Sequence, residues 1–381
     1  MKKCIVVSDS FKGTLTSVDI CRFSEYVIPK FFPECDVVAI PAGDGGEGTV
    51  DCLLAALDAD AEYVEVSGPY MEKVAAKYAV FNDSAMIEMA SASGLSLVQS
   101  RKNPMLTTTY GVGELITDAI NTGCRHIYLG LGGSATNDGG CGCCAALGVK
   151  FYNSLGKTFI PAGGTLKNIC HIDISEALEF LDGADINLMC DVSNPFFGAN
   201  GAAYVFGPQK GADSDMIKLL DSGLENLCNV IRADLGIDIA NLPGGAAAGG
   251  MGGGLTAMLN GTIKSGIDTI LELTDFEHHL PGADLVITGE GILDDYSFNG
   301  KVLGGITSRT LPREIPVYAI VGRIGDLSLD PSEYGISAVF ETNKTGRPMD
   351  EVALTAARDY ATALEEAMRY RKLQERTPYR A

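Results

Sequence analysis

The chain has 381 residues, 46% of them apolar and 20% charged, which is the composition of a folded protein long enough for two or three domains. A formal charge of −20 argues against nucleic acid and anionic membranes as partners, because both need a basic surface. Eleven cysteines and four histidines show no paired Cys-x-x-Cys spacing for zinc, so free thiols in a reducing cytoplasm are expected.

Short apolar runs alternate with amphipathic stretches, the pattern of βαβ units around a parallel sheet. Cys4–Val7 is predicted as the first strand, ending in Ser8-Asp9-Ser10-Phe11-Lys12-Gly13-Thr14, with a helix over Ser17–Phe31. That apolar start is too short for a secretory signal, and no run approaches the roughly 18 residues that span a bilayer, so no membrane partner is expected. Val37–Ile40 is a second strand, followed by the glycine-rich loop Pro41–Thr49 and a helix over Val50–Leu57. Tyr63–Val66, Val74–Val80 and Ala85–Met89 are separated by turn signals such as Ser67-Gly68-Pro69, which predicts a locally antiparallel or mixed sheet.

A strand over 127–131 runs into Gly132-Gly133-Ser134-Ala135-Thr136-Asn137-Asp138-Gly139-Gly140, and Cys141–Leu147 forms a small-residue helix closed by Gly148. Ile186–Met189 ends at Cys190-Asp191, and the cluster Gly244–Gly254 leads into a helix start at Leu255–Leu259. The βα rhythm returns with strands over Asp284–Thr288, Pro316–Val321 and Ile336–Glu341. The last helix runs from Met349 to about Lys372, with Val352, Ala356, Tyr360, Leu364 and Met368 at helical spacing. The expected fold is α/β with two domains. Residues 1–62 and 281–381 form a doubly wound, Rossmann- or flavodoxin-like parallel sheet. Residues 63–280 form an inserted α/β domain with a mixed sheet, and the active site is expected in the cleft between the two.

The loop 132–140 carries the clearest chemical signal. A buried strand, a glycine-rich loop and a helix start together aim bare backbone N–H groups at an anion, with Ser134, Asn137 and Asp138 as polar side chains alongside. Gly250 and Gly252 in the second glycine cluster are candidates for the same task. Gly43-Asp44-Gly45-Gly46-Glu47-Gly48 matches G-x-G-x-x-G between a strand and a helix, but its two acidic residues oppose a pyrophosphate. A Walker A motif is absent: Gly156-Lys157-Thr158 has Phe151 where the motif needs glycine. Carboxylates recur at strand ends, at Asp9, Asp44, Asp138, Asp191, Glu290 and the nearby Asp294, while Lys12 and Lys301 stand beside glycines. Loop-end carboxylates, lysines and glycine-lined loops suit phosphoryl transfer, which needs a hydrated Mg2+, positive charge on the moving phosphoryl group and a base for the acceptor hydroxyl. No Gly-x-Ser-x-Gly elbow occurs, and four histidines are few for a hydrolytic triad.

At these residues the chain resembles the bacterial glycerate kinase family. The resemblance is carried by Asp9-Ser10-Phe11-Lys12-Gly13, Asp44-Gly45-Gly46-Glu47-Gly48-Thr49, Thr107-Thr108-Thr109-Tyr110-Gly111, the 132–140 loop, Phe206-Gly207-Pro208-Gln209-Lys210-Gly211, Gly249-Gly250-Met251-Gly252 and Thr288-Gly289-Glu290-Gly291, in that order. It implies ATP-dependent phosphorylation of D-glycerate with Mg2+, 2-phosphoglycerate being the expected product rather than 3-phosphoglycerate. On this reading Gly132, Gly133, Ser134, Asn137, Asp138, Gly250, Gly252 and Lys301 contact the nucleotide. Asp9, Glu290 or Asp294 hold the metal, Lys12 meets the transferring group, and Asp191 or Asp44 takes the hydroxyl proton. The chain departs from the family after Gly291, where Ile292 and Tyr296 replace polar residues. Two alternatives are a nicotinamide-dependent oxidoreductase acting on a small hydroxy acid and a non-catalytic sugar-acid sensor.

Overall fold

The structure is a computed structural model and describes residues 1–298 and 300–376. Among these residues the strands are, in chain order, β1 (Lys3–Ser8), β2 (Asp36–Pro41), β3 (Asp60–Ser67), β4 (Lys73–Phe81), β5 (Ser84–Glu88), β6 (His126–Gly130), β7 (Lys150–Tyr152), β8 (Thr158–Phe159), β9 (His171–Asp173), β10 (Asp185–Met189), β11 (Thr262–Lys264), β12 (Leu285–Leu293), β13 (Val317–Ile324) and β14 (Ile336–Glu341). Two compact units share them. Unit 1 comprises Met1–Asp44, Asp51–Leu57 and the chain from Gly266 onward; unit 2 comprises Gly45–Val50 and Asp58–Ser265.

Unit 1 is built on a five-stranded sheet in the order β14-β13-β12-β1-β2, with every pair parallel. Counting only its own strands along the chain, this is the 2-1-3-4-5 order of doubly wound flavodoxin-like sheets, whose direction of winding reverses between β1 and β12. Cys4–Val7 and Leu285–Glu290 are buried without interruption, as parallel strands covered on both faces require. The helix Ser17–Phe31 begins at a capping box, in which Thr16 Oγ1 accepts from the Asp19 N–H at 3.1 Å and Asp19 Oδ2 accepts from the Thr16 N–H at 3.4 Å. The last helix extends to Arg376 and buries Ala356, Tyr360, Ala363, Leu364, Ala367 and Met368 in the core that also holds Val6, Ile287 and Ile320. Each large apolar side chain so buried contributes about 1.5–3 kcal/mol.

Unit 2 holds a six-stranded mixed sheet in the order β11-β10-β6-β5-β4-β3, parallel from β11 to β5 and antiparallel from there. Glu88, Gly130 and Met189 stand in register on β5, β6 and β10, so the loops that follow them leave from one edge. A small antiparallel sheet, β8-β7-β9, was not signalled by the sequence. Gly156-Lys157-Thr158 falls in its β7–β8 hairpin, where the Gly156 N–H donates to Asn153 O at 2.9 Å and the tripeptide is exposed, unlike a phosphate-binding loop. The helices Tyr110–Asn121 and Ser214–Leu235 also enter only with the structure. No helix among the described residues is long and apolar enough to cross a membrane. All eleven cysteines are free thiols.

The glycine cluster is helical earlier than its sequence suggests. Right-handed helix is established by Met251, four residues before Leu255, and Ala248, Gly249 and Gly250 ahead of it lie in the left-handed region at φ of 53°, 71° and 93°. The reason is tertiary. A Cβ on Gly249 would stand 2.1 Å from Thr136 O, and one on Gly254 would stand 1.8 Å from Gly139 O. The left-handed turn lets this segment lie against the 132–140 loop with backbone touching backbone. Gly254→Ala is therefore expected to lower stability by about 2 kcal/mol, through overpacking of a dense interior. A fall of several degrees in melting temperature, followed by circular dichroism, would register it; an unchanged melt would refute the packing role.

Candidate active site

The candidate residues from sequence fall into two groups. Asp9, Lys12, Asp44, Glu290, Asp294 and Lys301 lie in unit 1, whereas Asp191, the 132–140 loop, Gly250 and Gly252 lie in unit 2.

In unit 1 the cluster forms where the winding reverses. The Asp9 N–H donates to Gly289 O at 2.9 Å and Ser8 Oγ donates to the same oxygen at 3.1 Å, so the end of β1 is tied to β12 one residue before Glu290. Asp9 Oδ1 accepts from the Ser10 N–H at 2.6 Å. Burial and then the charge of Asp44, with a smaller push from Glu290, raise the Asp9 pKa to about 7, against the Ser10 amide and the Lys12 ammonium. Glu290 is 6% exposed, and burial holds its carboxyl above the usual range despite the Ser297 hydroxyl and Lys301. Lys301 Nζ stands 3.8 Å from Glu290 Oε2, while Oε1 is buried without a hydrogen-bond partner. Asp294 Oδ1 accepts from the N–H groups of Tyr296 (3.0 Å) and Ser297 (3.1 Å), closing the turn after β12. Beyond it lies a cavity of about 370 Å³ lined by Ile292, Asp294, Tyr296, Arg323, Ile324, Gly325 and Asp326, so both departures from the family pattern sit on its wall.

In unit 2 the loop after β6 is pinned along most of its length. Gly132 N–H donates to Gly45 O (3.3 Å), Leu95 N–H to Gly133 O (2.9 Å), Ala135 N–H to Ser93 O (2.9 Å), Thr107 Oγ1 to Ala135 O (2.9 Å) and Gly139 N–H to Gly249 O (3.0 Å). Among the described residues the amides of Gly133 and Ser134 donate to no protein acceptor. Gly133 is exposed with φ of 73°, which puts its amide at the accessible end of the loop, and Ser134 beside it is buried at 6% exposure. Behind them Asn137 is fully buried with neither side-chain Oδ1 nor Nδ2 partnered, and Thr136 Oγ1 is in the same state. Buried polar atoms are almost always bonded, so a cluster of exceptions marks a place prepared for another group.

Asp138 is the hub that holds this loop. Its Oδ2 accepts from Thr109 N–H (2.8 Å), Thr109 Oγ1 (2.8 Å), Gly142 N–H (3.2 Å) and Thr108 Oγ1 (3.4 Å), and its Oδ1 from Gly140 N–H (3.2 Å). One carboxylate thereby serves the starts of the helices Tyr110–Asn121 and Cys141–Ala146. Burial raises its pKa, and the bonds from the Thr109 amide and hydroxyl and the Gly142 and Gly140 amides oppose the rise. Gly250 N–H donates to Ala246 O at 3.2 Å and a Cβ there would stand 2.9 Å from the Leu224 and Phe196 side chains, while a Cβ on Gly252 would meet Gly244 O at 2.4 Å, so neither position has room for a side chain. Asp191 follows β10 two residues beyond Met189, on the same sheet edge.

Two residues of this site carry little sequence signal. Glu88 Oε1 accepts from the N–H groups of Gly48 (3.0 Å) and Val50 (2.7 Å). It occupies the helix start where a dinucleotide pyrophosphate would lie, which removes the physical basis for the oxidoreductase reading. Lys210 is 2% exposed, and its Nζ donates to Ser134 Oγ and Thr136 O, each at 2.7 Å. Burial pulls its pKa down to about 7, with the Asp138 carboxylate opposing. Their signals were a carboxylate ending an apolar strand and a lysine between two glycines, both common on ordinary surfaces.

Unit 1 gathers carboxylates and lysines at a flavodoxin-like switch point and unit 2, taken by itself, has a bare-amide loop, features of the kind that phosphoryl transfer uses. Comparison with known proteins makes the class specific. The family model described as "Glycerate kinase family" matches residues 4–372. A glycerate kinase of Bacillus cereus is 44% identical over 352 residues, covering 92% of each chain. The glycerate 2-kinase of Escherichia coli K12 is 39% identical over 377 residues, covering 96% of this chain and 99% of that one. A crystal structure provisionally described as glycerate kinase 2 from Salmonella typhimurium LT2 superimposes with a TM-score of 0.88 at 36% identity, covering 99% of this chain and 100% of that one. The chain belongs to the glycerate kinase family. It is a kinase, with ATP as the phosphoryl donor that this family implies.

Asp138→Asn puts an N–H2 where an acceptor of several bonds now stands, and is expected to destabilise unit 2 by roughly 2–3 kcal/mol. Calorimetry of the variant should show a lowered transition, and a wild-type profile would remove Asp138 from the hub role.

Proposed function

We propose that the chain transfers the γ-phosphoryl group of ATP to the 2-hydroxyl of D-glycerate in the cytoplasm, giving 2-phosphoglycerate and ADP with release of one proton. The observation that carries this reading is the loop 132–138, whose Gly133 and Ser134 amides are unspent beside a buried lysine. Gly132, Gly133 and Ser134 contact anionic oxygens of the substrates, and Asn137 offers the partnerless amide behind them. Asp138, Gly250 and Gly252 serve the same site by shaping it, since their polar groups or their lack of a side chain are used within the protein.

The unit 1 cluster fits a hard divalent cation. Its donors are carboxylate oxygens, Glu290 Oε1 is buried without a partner, and burial, then the charge of Asp44, raises Asp9 toward neutrality. No three carboxylate, imidazole or thiol groups among the described residues converge closely enough to hold an ion by themselves. Mg2+ keeps phosphate and water ligands and takes one or two carboxylates from the protein, here drawn from Asp9, Glu290 or Asp294. When bound, the ion supplies charge neutralisation on the phosphate oxygens. Lys12 and Lys301 place positive charge against the moving phosphoryl group, the largest electrostatic demand of the reaction. Asp191 accepts the proton of the 2-hydroxyl as the oxygen attacks, with Asp44 as the other carboxylate at a strand end able to do so.

Asp191→Asn is expected to cut kcat by about 10²–10⁴ while KM for ATP moves less than about threefold, the signature of a group used in the chemical step. A coupled ADP-release assay measures both, and phosphorus NMR of the product identifies the phosphorylated carbon. Turnover within about threefold of wild type would remove Asp191 from the role, and a 3-phospho product would refute the 2-hydroxyl assignment.

A further inference from the structure

Lys210 has no task in the mechanism above, yet its environment is unlike that of a surface lysine. The motif Phe206-Gly207-Pro208-Gln209-Lys210-Gly211 is a helix end, a turn of 3-10 helix over Pro208–Lys210 and a stop at Gly211 with φ of 92°. A Cβ on Gly207 would stand 2.3 Å from Ala203 O, and one on Gly211 would stand 2.7 Å from Lys102 O. The segment is thus built tightly enough to drive one lysine side chain into the interior. A methionine would fill the same volume with no charge to desolvate, so the ammonium at this position calls for a return beyond packing. It carries three N–H donors, of which two are used at 2.7 Å, on Ser134 Oγ and Thr136 O. Both acceptors belong to the loop with the unspent amides, and Thr136 and Asn137 next to them hold the partnerless buried polar atoms.

We propose that Lys210 is a positioning residue for phosphoryl transfer: by donating to Ser134 Oγ and Thr136 O it sets the Gly133 and Ser134 amides toward the bound anion and gives the loop its positive charge. This rests on the reading that the loop holds an anionic group of a substrate, either an ATP phosphate or the glycerate carboxylate. The titratable group facing Lys210 is Asp138, which is engaged by Thr108, Thr109, Gly140 and Gly142. Cys141, Cys143 and Cys144 beside Asp138 are kept as neutral thiols by burial. The charge that varies at this spot near neutral pH is therefore that of Lys210, with its pKa of about 7. The neutral amine keeps the packing but loses the charge, so the grip on an anion weakens as pH rises through that value.

Steady-state kinetics of the full-length enzyme over pH 6–9 test this with Lys210→Met, Ser134→Ala, the double variant and Gly133→Val. Wild-type kcat/KM is expected to fall on the alkaline side with a midpoint near 7. Lys210→Met should lose about tenfold or more in kcat/KM at low pH and lack that alkaline limb. A rise confined to KM for ATP assigns the anion as phosphate, and one confined to KM for glycerate assigns it as carboxylate. The double variant should lose less than the product of the single losses, because the two residues act through one contact. If Lys210→Met keeps wild-type kcat/KM and its alkaline limb while Gly133→Val is inactive, the loop reading stands and the Lys210 proposal fails. If Gly133→Val is also wild-type, the loop reading itself fails and takes the proposal with it. Should Lys210→Met not fold by circular dichroism, Ser134→Ala decides alone: unchanged kcat/KM overturns the proposal, and a loss with the limb retained supports it.

Discussion

The unit 2 site depends on one constraint, the direct contact of backbone with backbone around residues 132–140. Four glycines, in three segments, meet the loop or its supports at distances that no side chain permits. A Cβ would fall 1.8 Å from Ser67 O at Gly111, 2.7 Å from Tyr110 N at Gly142, 2.1 Å from Thr136 O at Gly249 and 1.8 Å from Gly139 O at Gly254. Interiors are packed to crystal density, so such contacts fix positions to a fraction of an ångström. With the rest of the loop held in this way, two amides can remain unspent without the loop collapsing onto them. The buried carboxylate of Asp138 completes the arrangement by taking the helix-start amides that would otherwise compete for an anion.

Unit 1 solves a different problem by a different force. Its parallel sheet delivers the ends of β1 and β12 to one edge, and the Asp9–Gly289 bond ties them together. Burial is the main force that raises Asp9 and Glu290, and the neighbouring carboxylates add to it, Asp44 at Asp9 and Asp294 and Asp44 at Glu290. Lys301 opposes part of the rise at Glu290 from 3.8 Å. A site in this state favours cations and cation-bound phosphate. A chain carrying a formal charge of −20 needs such local provision if it is to hold anionic substrates at all.

The two groups of residues also explain why some candidates were easier to find than others. Asp9 and the 132–134 loop follow buried parallel strands, where residues emerge at the functional edge of the sheet, whereas Glu290 lies within β12, which runs on to Leu293 beyond the apolar run Asp284–Thr288. Asp138 lies in the same stretch, but its role is set by Thr108 and Thr109, some thirty residues earlier. Gly250 and Gly252 look like phosphate-binding glycines in one dimension, yet Gly250 bonds to Ala246 and Gly252 packs on Gly244 O. Glu88 and Lys210 are single charged residues in short motifs, and nothing local separates a helix-capping carboxylate or a buried ammonium from its solvated counterpart.

What the sequence by itself determined is therefore most strands of the two larger sheets, β11 excepted, the doubly wound class and the loops in which chemistry gathers. These follow from the period of apolar residues and from turn chemistry, which act over a few residues. The tertiary structure alone decided which polar groups of those loops are consumed and which stay available. It spent Asp138 on two helix starts, closed the Gly48 and Val50 amides with Glu88, left the Gly133 and Ser134 amides open, and brought Lys210 from 76 residues away to within 2.7 Å of Ser134. Hydrogen-bond satisfaction is a property of the packed whole, because each partner is supplied by a different segment and no local pattern records the match.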